Sequence, residues 1–450
     1  AAAPRGAGFA PGARRVPQGM GRGSRSAGSL RDRITAVADA TRATFGLPAG
    51  LAMAAGVVAG FGTPALDDWL GVSMPLFEFS TQDAARGLLE TIATTTVSVA
   101  GLAFSVTVVA FTLSSNQLSP RVLRSFRRDR LSQLTLAALL GSFIYCLTAL
   151  VRLGTLDQGR VPDLTITVAV LLALLSFGLF AGFIGHITRM LQPSSVIASI
   201  DADAAGEQER PYPAGAGGEP EREQEARAAL DRTLAAAPPR PARCDGHGFL
   251  TALRTDELIE LACELDGVVL QRARIGEYVL PGDVVAEVSA TDPAAAAELA
   301  ERAPAAFELG PQRTLPGDPG YPVRQLADVA IKALSPSIND PTTARNALDA
   351  LTAGLIRFAA AEPAAAVRLD GAGAPRLLAA APDLDDLVEL GFGEVERFAA
   401  DQPAVLGRCH ELLGRVAAAA DRHGHSRAAA DRLRRSIARR LDALRSEAAG

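Results

Sequence analysis

Residues 91–120 read TIATTTVSVAGLAFSVTVVAFTLSSNQLSP, thirty positions without one charged side chain. A helix needs about twenty predominantly apolar residues to cross the hydrocarbon core of a bilayer, so this stretch predicts a membrane-spanning helix with length to spare. The ten residues that follow, 121–130, hold five arginines against one aspartate. The stretch therefore decides the class of the protein, an integral membrane protein, and marks one boundary of the membrane.

Small and hydroxyl-bearing residues recur along this run at intervals of three and four, broken only by Val108, which aligns them on one side of a helix. Two interpretations are open. Small residues let membrane helices pack closely and hydroxyls bond across helices, or the residues line a polar pathway in an oligomer. Glu90, at the outer end, either favours cations there or is an ordinary interfacial acid. We call the following set the hydroxyl stripe: Thr91, Thr94, Ser98, Gly101, Ser105, Thr112 and Ser115.

Four uncharged runs predict a transmembrane domain over residues 43–190, with helices at about 43–66, 91–120, 131–151 and 164–188. The segment 67–90 holds five acidic residues and one arginine, whereas 121–130 is rich in arginine. Because positive loops stay in the cytosol, both termini are predicted to be cytosolic, in a multi-pass protein of the bacterial inner membrane. No span carries a central charge, which argues against a proton-coupled carrier.

The fold class predicted is mainly α, a four-helix transmembrane region followed by a cytosolic α+β region. Residues 1–42 are predicted to be a disordered basic tail, in which Met20 would make a reasonable start. Residues 191–245, rich in Ala, Gly, Pro, Glu and Arg, are predicted to be a linker, most flexible over 211–220. Residues 246–310 are predicted to form a small β-rich module and residues 311–450 a helical cytosolic domain.

A polar joint is predicted within the last domain. Residues 323–334 have helical spacing, and Ser335 precedes a proline, which ends the helix. Asp340 suits the N-cap of the next helix and Pro341 its first position. A helix N-terminus beside cationic groups can bind an anion; the alternative is a capped joint that braces the fold. The candidate contacts are Arg313, Arg324, Asp328, Lys332, Ser335, Asn339 and Asp340.

No catalytic, metal or cofactor site is predicted, since no nucleophile–base constellation, ligand cluster or phosphate loop is present in the sequence. The protein is therefore not expected to be an enzyme. No nucleic acid is expected as a partner. The expected partners are the lipid bilayer, further copies of the chain, and a small anion or other ion.

Three strings carry a family resemblance: TTTVSVAGLAFS at 94–105, Ser119-Pro120-Arg121, and LADVAIKALSPSINDPTTA at 326–344. With them the chain resembles the DUF2254 family of predicted bacterial membrane proteins, over roughly residues 43–420. The resemblance implies location and shape but supplies no catalytic residues. The favoured hypothesis is an oligomeric pore or transport-related protein that its cytosolic domain gates. The alternative is a membrane-anchored sensor or scaffold that binds an anionic ligand or a protein partner.

Overall fold

Four long helices form the N-terminal part of the protein. The computed structural model describes residues 46–70, 81–117, 129–154, 163–190, 192–208, 220–361 and 366–449. Within these ranges, four helices are long and apolar enough to cross a membrane. The four-helix prediction is thereby confirmed. The helices are α1 (Leu47–Leu70), α2 (Gln82–Gln117), α3 (Arg130–Leu153) and α4 (Asp163–Met190).

Helix α3 is the centre of this bundle and contacts α1, α2 and α4. Hydrogen bonds at the helix ends show that α1 runs opposite to α4, and α2 opposite to α3. The Asp67 carboxylate, near the end of α1, accepts from the Leu164 N–H at the start of α4 at 3.0 Å. The Gln82 amide, at the start of α2, donates to the Leu153 carbonyl at the end of α3 at 3.2 Å. An up-and-down bundle of this kind follows from short connections between antiparallel neighbours.

Helices α1 and α3 approach each other closely along what we call the glycine seam, formed by Gly56 and Gly60 of α1 with Gly141 and Thr148 of α3. A Cβ atom built on Gly56 would lie 2.7 Å from the Gly141 carbonyl oxygen, and one on Gly60 would lie 1.8 Å from Thr148 Oγ1. Neither distance leaves room for a side chain. The seam is thus the close backbone packing that small residues permit between membrane helices.

Helix α2 begins nine residues earlier than the run predicted at 91–120, so that Asp83, Arg86 and Glu90 belong to its first turns. Its 36 residues correspond to about 54 Å at 1.5 Å per residue, well beyond a hydrocarbon core of about 30 Å. The helix therefore extends past the membrane. It continues to Gln117, and residues 118–120 of the predicted run lie outside the described residues.

The region predicted as a linker, 191–245, contains two helices, α5 (Pro193–Gln208) and α6 (Pro220–Ala236), and the first strand. The linker prediction allowed for a helix over residues 221–237 but did not include α5. Val196, Ile197 and Ile200 of α5 are buried in the core of the C-terminal helices, and each such side chain stabilises the fold by about 1.5–3 kcal/mol. Three branched residues on one helix face outweigh the Ala- and Gly-rich composition. Most of the predicted flexible segment, 211–219, lies outside the described residues.

Two sheets form the β-rich module. The five-stranded sheet has the order β1-β5-β3-β8-β7 and the three-stranded sheet the order β4-β2-β6. Strand β8 pairs with β3 in parallel, which requires a long crossover. The β7–β8 hairpin comes from the predicted helical domain, so the sheet draws on both sides of residue 311. The strands are β1 (Arg240–Arg243), β2 (Gly248–Leu253), β3 (Gly267–Gln271), β4 (Tyr278–Val279), β5 (Val284–Ala290), β6 (Phe307–Gly310), β7 (Val367–Leu369) and β8 (Pro375–Leu378).

Helices surround the sheets and build the C-terminal core. Helices α7 (Thr255–Glu264) and α8 (Pro293–Arg302) pack on the five-stranded sheet. Helix α9 (Gly320–Ala333) begins three residues before the predicted start, because Asp318 accepts hydrogen bonds from its first backbone N–H groups. The other helices of the core are α10 (Pro341–Ala360), α11 (Leu384–Phe398), α12 (Pro403–His423) and α13 (Ala428–Ala449).

Candidate functional site

The hydroxyl stripe lies on the side of α2 that faces away from the other membrane helices. Every stripe residue whose side chain is described is exposed, while a second row is buried against α3 and α4. With 3.6 residues per turn, the two rows lie about 180° apart around the helix. The side chain of Ser115 lies outside the described part. The exposed row is Thr91, Thr94, Ser98, Gly101, Ser105 and Thr112, and the buried row is Ala85, Leu89, Thr96, Ala100, Ala103 and Ala110.

Gly101, in the middle of the stripe, has open space beside it. A Cβ atom built on Gly101 meets no atom of the described chain within 4 Å, in contrast to the glycines of the seam. Within one copy, the stripe is therefore not a packing face against the described helices. Both roles predicted for it, helix packing and lining of a pathway, require a partner other than the described residues of this copy.

Three of the five described stripe hydroxyls donate their protons within α2. Thr91 Oγ1 donates to the Gly87 carbonyl at 2.7 Å and Ser98 Oγ to the Thr94 carbonyl at 2.7 Å. Thr112 Oγ1 donates in the same way to Val108, at 2.9 Å. A hydroxyl has one proton and two lone pairs. These groups have therefore satisfied their donors, and what they can offer to a ligand is acceptor oxygen.

Glu90 lies one residue before the stripe and forms an ion pair with Arg86. The Arg86 Nε atom is 3.0 Å from Glu90 Oε1, and both side chains are exposed. An exposed ion pair of this kind contributes less than about 1 kcal/mol. Glu90 is free to exchange partners at this end of the helix, but in this structure its charge is balanced.

A second small-residue face, which the sequence analysis missed, lies on α4. Gly178, Gly182 and Gly185 are exposed, and no atom lies within 4 Å of a Cβ built on any of them. We call these three residues the glycine face. The spacing of Gly178 and Gly182 is the G-x-x-x-G pattern by which membrane helices associate. That motif was the signal in the sequence that would have identified this face.

The hydroxyl stripe borders an open groove between α2 and α4. The groove has a volume of about 180 Å³ and an almost entirely apolar lining, with Ser105 as its one hydroxyl-bearing residue. Ile187 is its contribution from α4. The stripe and α4 thus adjoin on one surface of the bundle. The lining residues are Ser105, Val106, Val109, Ala110, Leu113 and Ile187.

The end of the bundle where α3 begins carries a carboxylate–imidazole pair. Asp129 caps α3 by accepting from the Ser132 N–H at 2.9 Å, and His186 Nε2 of α4 lies 2.9 Å from Asp129 Oδ1. Burial raises the pKa of Asp129, but the hydrogen bonds from Ser132 and the neighbouring His186 outweigh burial and hold this pKa below its ordinary value. The pair joins the end of α4 to the start of α3.

In the polar joint, Asp340 is the N-cap of α10, as predicted. Its carboxylate accepts from the N–H groups of Thr342 and Thr343, at 3.1 and 3.0 Å, and from the Thr343 hydroxyl at 2.6 Å. The Thr343 hydroxyl is the main reason that the pKa of Asp340 is lowered. A carboxylate of the chain itself thus occupies the helix N-terminus where an anion was expected.

The other polar residues of the joint shape the turn between α9 and α10. Asn339 has φ of 44°, in the left-handed region, and its side-chain oxygen accepts from Gln402 Nε2 at 3.2 Å. Ser335 Oγ lies 3.3 Å from Ser337 Oγ. Lys332 is half-buried in the last turn of α9, where its carbonyl accepts a hydrogen bond from the Ser335 N–H.

The two candidate arginines are paired with acids. Arg313 binds Asp318 through two hydrogen bonds of 2.8 Å, and Asp318 is almost completely buried. Arg324 lies 2.8 Å from Asp328 and 2.9 Å from Glu394. These contacts balance the charge of both guanidinium groups, so they brace the fold where a free cation was expected.

Comparison with known proteins assigns the family. Residues 42–415 match the family described as "Predicted membrane protein (DUF2254)". The chain belongs to the DUF2254 family. The match extends from the residues before α1 into α12, so the membrane helices and the C-terminal region are one DUF2254 unit. The resemblance predicted from the three sequence strings is confirmed.

The relatives of this DUF2254 protein include mycobacterial proteins. It is 28% identical, over 342 residues, to uncharacterized protein Mb1321c of Mycobacterium bovis and to uncharacterized protein Rv1290c of Mycobacterium tuberculosis. The aligned part covers 75% of this chain and 64% of each relative. The chain thus spans less than two thirds of the length of these relatives. No solved structure matches it.

Proposed function

We propose that this DUF2254 protein forms an oligomeric pore for small cations, in which α2 of each copy turns its hydroxyl stripe toward a shared axis. The carrying observation is the position of the stripe, opposite the buried face of α2 and open to its surroundings. A polar stripe at membrane depth is accommodated by protein or water more readily than by lipid tails.

The exposed face of α1 provides the contrast that supports this assignment. It carries large apolar side chains, among them Leu51, Val58, Phe61 and Trp69, with exposed fractions of 63%, 74%, 47% and 81%. Such a face suits lipid. The exposed side of α2 also carries large apolar residues, such as Leu102 and Phe104, but the row between them consists of Thr, Ser and Gly, which suits a neighbouring helix or a hydrated axis.

The ligand class follows from the hydroxyl chemistry. Thr91, Ser98 and Thr112 donate to their own helix, so these three hydroxyls offer lone pairs to a permeating ion. Rings of oxygen acceptors replace the hydration shell of a cation, whereas anions require donors. A small monovalent or hydrated cation is therefore the proposed substrate. Glu90, paired with Arg86, adds little net charge.

The oligomer also needs a surface on which neighbouring copies meet, and the glycine face of α4 is suited to that role. Open glycines at G-x-x-x-G spacing permit two helix backbones to approach closely. With α4 as the contact and α2 at the axis, one chain supplies both surfaces of a ring. The apolar groove beside Ser105 separates the two surfaces.

The orientation proposed is the one that the charges favour. The arginines of 121–130 and the acids of 67–90 direct the end of α2 and the C-terminal region into the cytosol of a bacterial cell. In this orientation the C-terminal region is the gating domain. An anion sensor has less support, because Asp340 occupies the N-terminus of α10 and acids neutralise Arg313 and Arg324.

Ion flux into liposomes tests the proposal. The full chain is reconstituted, and K⁺ and Cl⁻ fluxes are measured across salts, voltages and osmotic shock. Ser98→Leu, on the stripe, is expected to reduce cation flux at least about tenfold by adding apolar bulk at the axis. Val97→Leu, one residue away and off the stripe, is the matched control and is expected to change flux less than about twofold. Wild-type protein without flux, or equal effects of the two variants, would refute the pore.

A further inference from the structure

Helix α5 begins three residues after the last residue of the fourth membrane helix. Met190 ends α4 and Pro193 begins α5. The Gln192 N–H donates to the Arg189 carbonyl at 3.1 Å, and the Gln192 carbonyl accepts from the Val196 N–H at 3.3 Å. Backbone hydrogen bonds therefore lie on both sides of the junction, which makes it a short joint rather than a free tether.

Helix α5 is also part of the C-terminal core. Val196, Ile197 and Ile200 are 6%, 6% and 4% exposed, in the same hydrophobic cluster as Leu326 of α9 and Leu351 of α10. An ion pair between Asp201 of α5 and Arg357 of α10 fixes its position along the groove between these helices. The helix cannot shift without disturbing the packing of α9 and α10.

At its other side, α4 is attached to the centre of the membrane bundle. His186, one turn before the end of α4, is paired with Asp129 at the start of α3. Two neighbouring attachments therefore meet at the end of α4, one to α3 and one, through α5, to the C-terminal core.

We infer that α5 is the element that transmits conformational changes of the C-terminal core to the membrane bundle, through the end of α4. A rearrangement of α9 and α10 moves α5, α5 moves the last turn of α4, and the His186–Asp129 pair conveys this movement to α3. That the movement controls a pore depends on the proposed function. The coupling itself does not.

Hydrogen exchange of the full-length protein in detergent tests the coupling, because amide exchange reports local opening helix by helix. Leu351→Ala loosens the core around α5. It is expected to accelerate exchange in α5 and also, by about tenfold, in the last turn of α4, residues 186–190. Leu258→Ala is the matched control: Leu258 is equally buried, but in the separate core of the β-rich module, and it is expected to leave α4 unchanged.

A gentler variant covers the case in which Leu351→Ala does not fold. Arg357→Gln removes the ion pair with Asp201 without opening a large cavity, and it is expected to produce the same pattern at smaller amplitude. Faster exchange in α5 with no change in α4 overturns the inference. If neither variant accelerates exchange in α5, the core does not hold this helix, which also overturns it.

An insertion separates transmission from general destabilisation. Gly-Ser-Gly between Gln192 and Pro193 is expected to abolish the effect of Leu351→Ala on α4, whereas the same insertion after Gly371, in the exposed β7–β8 turn, leaves it intact. If Leu351→Ala still accelerates exchange in α4 after the first insertion, the coupling does not run through the α4–α5 junction. If the exchange experiment shows coupling but the reconstituted protein carries no ion flux, the coupling is supported and the proposed pore is refuted.

Discussion

The glycine seam and the hydroxyl stripe are both rows of small residues on membrane helices, yet the protein treats them in opposite ways. In the seam, Gly60 faces Thr148 so closely that no Cβ fits between the helices. In the stripe, Gly101 faces open space. The glycine seam is packed within one copy of the chain, whereas no described residue packs against Gly101 of the hydroxyl stripe.

The difference teaches that residue type alone does not tell packing from function in a membrane. Small residues lower the barrier to close approach in both rows. What distinguishes them is whether the chain supplies the opposing helix. Helix α3 fills that role for α1, and no described helix fills it for the exposed side of α2.

The largest difference in stability is expected between a glycine-to-valine substitution in the glycine seam and the same substitution in the hydroxyl stripe. Gly60→Val forces a branched side chain into Thr148 and is expected to destabilise the bundle by about 3 kcal/mol or to prevent folding. Gly101→Val meets open space and is expected to change stability by less than about 0.5 kcal/mol. Thermal unfolding in detergent measures both. Equal destabilisation would show that the two rows are packed alike.

A smaller loss of stability is expected when a hydrogen bond between the membrane helices is removed. The buried Tyr145 hydroxyl donates to the Thr165 carbonyl at 2.9 Å and is 2.8 Å from Thr63 Oγ1, so it joins three helices. Tyr145→Phe is expected to cost about 1 kcal/mol. Ser98→Ala, which removes only a bond within α2, should be nearly neutral in the same unfolding assay. A larger loss of stability for Ser98→Ala than for Tyr145→Phe would contradict this prediction.

The dependence of stability on pH can separate the C-terminal region from both rows, because their glycines carry no charge. The pKa of Asp340 is lowered by Thr343 and Thr342, so its cap stabilises α10 fully above about pH 4, the ordinary aspartate range. This stabilisation is lost as pH falls through the lowered pKa. Asp340→Asn is expected to cost at most about 1 kcal/mol at pH 7, and this cost should decrease as the pH falls through the lowered pKa of Asp340.

Hydrogen exchange in the first turn of α10, followed from pH 7 downward with correction for intrinsic rates, measures the cap. A constant difference between wild type and Asp340→Asn at all pH values would contradict the assignment of this dependence to Asp340. The glycine seam provides the internal control, since exchange at Gly56 and Gly141 should respond to neither change.

The smallest change in folding stability is expected for Gly182→Leu, because the glycine face is open in the single copy. Unfolding of dilute protein should shift by less than about 0.5 kcal/mol. Association should weaken, so that crosslinking in liposomes yields fewer oligomers. Val58→Leu, on the lipid-exposed side of α1, is the control. Unchanged crosslinking would remove the glycine face from the proposed interface.

Much of the architecture could be predicted because its signals are local. An uncharged run longer than a bilayer is thick must be a span wherever its neighbours lie, and Asp340 followed by Pro341 caps a helix through its own backbone. Helix α5 escaped prediction, because its burial depends on a groove between α9 and α10, which follow it by more than a hundred residues. The β7–β8 hairpin joined the sheet unexpectedly for the same reason.

The candidate sites likewise include features that could be predicted from local sequence and features that depend on tertiary contacts. The positions of the stripe residues on one side of α2 follow from helical periodicity, whereas the pairing of Arg313 with Asp318 and of Arg324 with Glu394 depends on how loops and helices meet. Charge compensation of this kind is invisible in a spacing pattern. Of the two interpretations of the joint, these pairs support the one in which its polar residues brace the fold.

By itself the sequence determined the membrane class, the number of spans and the periodicity of the stripe, since these depend on the hydrophobicity and turn of a single helix. Only the tertiary structure decided which small residues meet a partner. It packed Gly56, Gly60 and Gly141 between α1 and α3, placed α5 in the C-terminal core, and left Ser98 and Gly101 exposed. The physical reason is that contact depends on the relative placement of distant segments, which no local pattern encodes.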